Sequence, residues 1–154
     1  MTPWQTIAAE ARRESPLWGD ALRPESEPEA VFSPLADERY ALGLETIYEG
    51  YLVHYGTSRL FEPEDPDVAL LLGDYLYAHG LVRIAELGDV EAIRELAELI
   101  SRCAHLRAEG APGDGEVWAD TAERLCGNGG GPAREEALAA HARRMTALVD
   151  RRSG

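Results

Sequence analysis

A long apolar helical run with an acid in its middle constrains this chain more than any other feature. The run is Asp67–Leu87, within EDPDVALLLGDYLYAHGLVRIAELGDVE. Asp65 is placed to cap it and Pro66 to open its first turn, while Gly88 and Asp89 supply the stop and the next cap. At about 100° per residue, His79, Arg83 and Glu86 form a polar stripe, and Asp74 falls opposite, among Leu70, Leu71, Tyr77, Ala78 and Leu81. The expectation is that Asp74 is buried. A buried carboxylate needs a partner or a raised pKa. Arg59, in the preceding HYGTSR segment, is the first candidate partner, ahead of His54 and the tyrosines.

The flanking segments extend a helical pattern in both directions. Thr2 and Pro3 start a short helix with Trp4, Ile7, Ala8 and Ala11 on its apolar face, ending near Arg12 to Glu14. Residues 15–34 hold Pro16, Pro24, Pro28 and Pro34 together with Trp18, Leu22, Val31 and Phe32, which reads as an irregular arm laid over the bundle. A second long helix is expected over Leu35–Tyr55, with Leu44, Ile47, Tyr48, Tyr51 and Leu52 on its apolar positions. Gly43 and Gly50 lie two turns apart on it, and Gly73 and Gly80 repeat that spacing on the next helix. Each glycine costs about 1 kcal/mol relative to alanine in a helix interior, so the matched spacing suggests close backbone approach. The short connection makes the two helices an antiparallel pair.

Beyond Asp89, Val90–Ala108 shows apolar residues at helical spacing with Glu91, Arg94, Glu95, Glu98 and Arg102 outside. Further helices are expected over Glu116–Cys126 and Ala133–Arg152, separated by a glycine-rich hinge at 127–132. The fold class is therefore all-α: one domain over residues 1–154, a bundle of five to six helices. With 154 residues, 45% of them hydrophobic, the chain suits one core.

Charge narrows the function. Net charge is −13 and every basic residue is arginine, so no basic stripe exists to neutralise a nucleic acid backbone or an anionic membrane. The N-terminus lacks the pattern of a signal peptide and no segment is read as reaching membrane-span length, so a cytoplasmic location is expected. Cys103 and Cys126 read as core thiols. His54, His79, His105 and His141 fall on four different expected helices without close ligand spacing, which argues against a metal site. Glu62, Glu64, Asp65 and Asp67 read as helix-capping acids. No cofactor is implied.

One stretch resembles a known family. LLGDYLYAHGLVRIAELGDVEAIRELAELISRCAHLRAEG looks like the Gly-Asp helix and following helix of trans-isoprenyl diphosphate synthases, and ALGLETIYEGYLVHYG is similar to the family helix ending Leu-Ile-His-Asp-Asp. The resemblance covers about residues 41–110 and implies an isoprenoid-synthase-like partial bundle. Leu52, Val53 and His54 stand where the family has Leu-Ile-His. The first aspartate motif is then replaced by Tyr55, Gly56, Thr57, Ser58 and Arg59, without a carboxylate, and the family's diphosphate-binding lysines have no counterpart. What the resemblance implies is a non-catalytic helical subunit, like the short subunit of heteromeric polyprenyl diphosphate synthases, unable to catalyse prenyl transfer alone. Its large-subunit partner would meet an interface or apolar wall including Tyr51, Leu70, Gly73, Tyr77 and Gly80. The alternatives from other classes are a helical adaptor or homodimeric interaction protein unrelated to isoprenoid chemistry, and a bundle that binds a small apolar ligand.

Overall fold

The computed structural model describes residues 2–26, 28–125 and 131–146. Among the described residues seven α-helices follow one another: α1 (Pro3–Glu14), α2 (Pro16–Asp20), α3 (Ala41–Tyr55), α4 (Pro66–Ala85), α5 (Val90–Glu109), α6 (Asp114–Arg124) and α7 (Gly131–Arg144). Two 3₁₀ turns, Ser33–Leu35 and Glu38–Tyr40, lead into α3. Among the described residues extended pairing is limited to two isolated bridges, Leu22 with Phe61 and Gly56 with Met145. The molecule is an all-α, single-domain bundle.

Its helix starts follow local chemistry. Thr2 Oγ1 accepts from Gln5 N while Gln5 Oε1 accepts from Thr2 N, a reciprocal capping box that opens α1. Asp65 accepts from Asp67 N at the head of α4, and Asp89 from Ala92 N at the head of α5. α5 ends on Gly110, whose φ of 65° places it in the left-handed region that glycine enters without strain.

α3 starts six residues later than the pattern suggests. Ala36 is extended, and Asp37 turns its carboxylate onto Arg39 N, so two 3₁₀ turns replace the first helical turns. Short side chains of this kind compete with the helix for backbone donors. Gly131 and Pro132, expected in the hinge, open α7. The rest of that hinge and Cys126 lie outside the described residues. α7 stops at Arg144, short of the expected end, and Met145 pairs with Gly56; residues 147–154 lie outside the described residues.

α3, not α4, is the central rod. Every residue from Gly43 to Leu52 is buried, because α4, α1 and the 3₁₀ turns surround it and Trp118 of α6 packs on Tyr48 and Tyr51. One core cluster joins α3 to α5, α6 and α7 through Tyr48, Leu52, Leu96, Trp118 and Ala140. A second fills the space between α1, α2 and α4 with Ile7, Trp18, Phe61, Leu72 and Leu76. The arm contributes Trp18, which stacks on Tyr75 at 5.9 Å, and Phe32, which stacks on Trp118 at 5.6 Å. The polar stripe of α4 faces α1, where His79 and Arg83 both bond Glu10.

α4 also corrects the expectation that no segment is of membrane-span length, since Pro66–Ala85 is long and apolar enough to cross a membrane. Leu72, Gly73, Leu76, Gly80 and Ile84 are buried in the bundle.

Candidate functional site

Asp74 is not the buried acid. Its side chain is 62% exposed, and His54 Nε2 lies 3.5 Å from its Oδ1. The reason lies in the glycines. α4 is apolar on more than one side, and the side carrying Gly73 and Gly80 can approach α3 more closely than the side carrying Leu70 and Leu71. A Cβ on Gly50 would lie 2.9 Å from the Gly73 carbonyl oxygen, and one on Gly80 would lie 3.1 Å from the Gly43 carbonyl oxygen. The helices are therefore in near backbone contact along this seam, and the leucine side that holds Asp74 is turned outward.

Arg59 is buried as expected, with other partners. Its Nε donates to Glu49 Oε1 at 2.7 Å and its Nη1 to Glu45 Oε2 at 2.5 Å and the Glu29 carbonyl at 2.6 Å. The guanidinium also lies over the rings of Trp4 at 4.4 Å and Tyr48 at 5.0 Å. Ser58 donates to the other Glu49 oxygen. One cation thus ties α1, the arm, α3 and the 56–65 loop together. Two carboxylates facing one guanidinium would leave a buried excess of negative charge. Burial pushes the Glu45 carboxyl above its usual range despite the pull of Arg59, which moves the cluster toward neutrality. Glu45 and Glu49, one turn apart on an otherwise apolar helix, were the signal in the sequence for this cluster.

Residues 54–57 form a junction. His54 Nε2 sits 3.0 Å from the Leu70 carbonyl, filling the space left by the missing side chain of Gly73. Tyr55 ends α3 and its carbonyl accepts from Thr146 N. Gly56 packs on the Arg144 carbonyl, which accepts from Thr57 N at 2.8 Å. Of the expected interface residues, Tyr51 is buried and Gly73 and Gly80 face α3, so none of these three forms an outer wall. Leu70 is exposed and Tyr77 half-buried.

Leu70 and Tyr77 line an open cleft of about 620 Å³ between α3, α4 and α5, with Val53, Tyr55, Ile100 and Ala104 among its other walls and Asp74 on its rim. Leu71 and Val82, which do not line the cleft, are each more than half exposed on α4.

A second polar centre, which the sequence reading missed, joins four helices at Asp114. Tyr51 Oη donates to Asp114 Oδ2 at 2.6 Å, Arg107 Nη2 donates to the same oxygen at 3.1 Å, and Gly115 N donates to Oδ1 at 2.8 Å. His141 Nε2 is 3.2 Å from Oδ2, and its Nδ1 meets Tyr48 Oη at 2.7 Å. Burial alone would raise the Asp114 carboxyl, but His141, Tyr51 and Arg107 outweigh it and hold the group well below the usual carboxylate range. Cys103 lies beside this centre, and burial, with Asp114 adding to it, pushes its thiol up to about 12. A thiol in that state is not a nucleophile at neutral pH. Spacing gave no sign of this centre, because its members come from four separate helices.

Among the described residues, no three His, Cys, Asp or Glu side chains are grouped so as to hold a metal ion. Compared with known proteins, the chain matches no family model, no curated sequence and no solved structure.

Proposed function

We propose that the chain is a non-catalytic helical subunit that docks on a partner protein through the uncovered side of α4 and the cleft beside it. The observation that carries this reading is the exposure of Leu70 (56%), Leu71 (55%) and Val82 (51%) on a helix whose opposite side is sealed against α3. Large apolar side chains left exposed on one side of a helix are the kind of surface that marks interaction sites. The resemblance over residues 41–110 nominates the partner as the large subunit of a polyprenyl diphosphate synthase, one that carries its own aspartate motifs. This chain would add shape to that partner and no metal ligands, since residues 55–59 hold no carboxylate.

Co-expression with such a synthase tests the reading. A stable complex with altered product length is expected, and Leu71→Glu should dissociate it. Turnover of an allylic diphosphate by the isolated chain with Mg²⁺ would refute it, as would a synthase that ignores the chain. The cleft favours a second reading, a small apolar ligand bound between α3, α4 and α5, which native mass spectrometry of the purified chain would reveal.

A further inference from the structure

The docking reading leaves open what kind of surface the cleft accepts, and its two long walls answer differently. The α5 wall is neutral and mostly small-chained, with Ile100 its one large side chain in the lining. Ile100 and Ala104 line it, Ala97 and Ala108 are exposed beside them, and a backbone can approach such a wall closely. Arg102 is rotated about 160° from Ile100 at 100° per residue, away from the opening, and Arg94, nearer the edge of this wall, pairs with Glu91 at 3.4 Å. Arg107 is committed to Asp114 and to the Thr146 carbonyl.

The α4 wall is apolar with an acidic border. Leu70 and Tyr77 form its surface, and Asp74 stands on the rim between them with a largely exposed carboxylate. At the N-terminal end of the same wall, Glu64, Asp65 and Asp67 are all exposed around Pro66. His54 is the basic group in the lining, and its Nε2 faces the Leu70 carbonyl and lies 3.5 Å from Asp74 Oδ1, while the Asp74 side chain stays 62% exposed.

From this asymmetry we infer that the cleft receives a basic amphipathic helix of a partner protein. Its apolar residues, at three- and four-residue spacing, enter between α4 and α5, and arginines or lysines along one edge meet Asp74 and the acids at the head of α4. Helix-in-groove recognition has this form: apolar anchors give affinity and flanking charge gives register. A second copy of this chain is a poor occupant, because each copy carries a net charge of −13 and like charges repel across a close interface. An anionic lipid surface is disfavoured by the same acids. The inference rests on docking through α4 and not on which protein the partner is.

The test uses the full chain and a labelled helical peptide with leucines at three- and four-residue spacing and arginines elsewhere, alongside a twin in which glutamates replace the arginines. Fluorescence anisotropy should show binding of the arginine peptide only, weakening as salt is raised. Leu70→Glu and Asp74→Arg should each weaken it roughly tenfold, the loss expected when a buried leucine contact or a facing charge is removed. Both positions are exposed, and a thermal melt confirms that each variant is folded. Equal binding of the two peptides, binding of neither, or indifference to Leu70→Glu would overturn the inference. So would a dimer of the chain alone that Leu70→Glu dissociates, or flotation with vesicles of zwitterionic lipid. Binding of the arginine peptide by a chain that ignores the synthase would refute that partner and leave the cleft's preference standing.

Discussion

Arg59 has no exposed surface and holds two carboxylates, a hydroxyl-bonded loop and two aromatic rings in place. Removing one member of such a cluster leaves buried charge uncompensated, so Arg59→Met should cost about 3–5 kcal/mol in urea denaturation. Asp74→Ala, on an exposed carboxylate, should change stability by less than about 0.5 kcal/mol in the same experiment. Glu45 and Asp114 predict opposite pH dependences. The Glu45 carboxyl is raised in the folded state, so its contribution is most favourable below the unfolded pKa of about 4.3 and declines as pH rises. Glu45→Gln should therefore remove a loss of stability that the parent shows on raising the pH through that region.

At the scale of elements, the α3–α4 seam is the structural commitment. Alanine at Gly50 would gain about 1 kcal/mol of helix propensity, yet its Cβ meets a backbone carbonyl that cannot swing aside. Gly50→Ala should destabilise by about 1–3 kcal/mol, the range for overpacking. Gly43→Ala should also destabilise, because its Cβ meets Cδ1 and Cγ1 of Ile84, a buried β-branched side chain that must shift to make room. Thermal melts of the two variants compare backbone contact with side-chain contact directly. The glycine spacing was legible in the sequence, and so were the caps Thr2, Asp65 and Asp89. The start of α3 was not, because Asp37 draws the backbone into 3₁₀ turns through a local bond that apolar periodicity does not record.

At the scale of the whole molecule, Asp114 joins α3, α5, α6 and α7, so its ionisation acts on the assembly of the bundle. Its folded pKa is depressed. The stability it contributes is therefore fully present above the unfolded value of about 3.9 and is lost as pH falls toward the native one. Acid titration followed by circular dichroism should show this loss beginning near pH 4. Asp114→Asn should flatten it, at a cost of about 2 kcal/mol at neutral pH from weakened bonds to Arg107 and Tyr51.

Periodicity, glycine spacing and cap residues determined that this chain is a helical bundle, and composition determined that it carries a strong negative charge, because these properties depend on near neighbours or on simple sums. Which side of α4 is buried, which acids meet Arg59, and that Tyr51 and His141 converge on Asp114 were decided only in three dimensions. An apolar helix offers more than one burial face, and the choice belongs to whichever neighbour packs closest. Here two pairs of glycines made that choice and left Leu70, Leu71 and Asp74 facing outward.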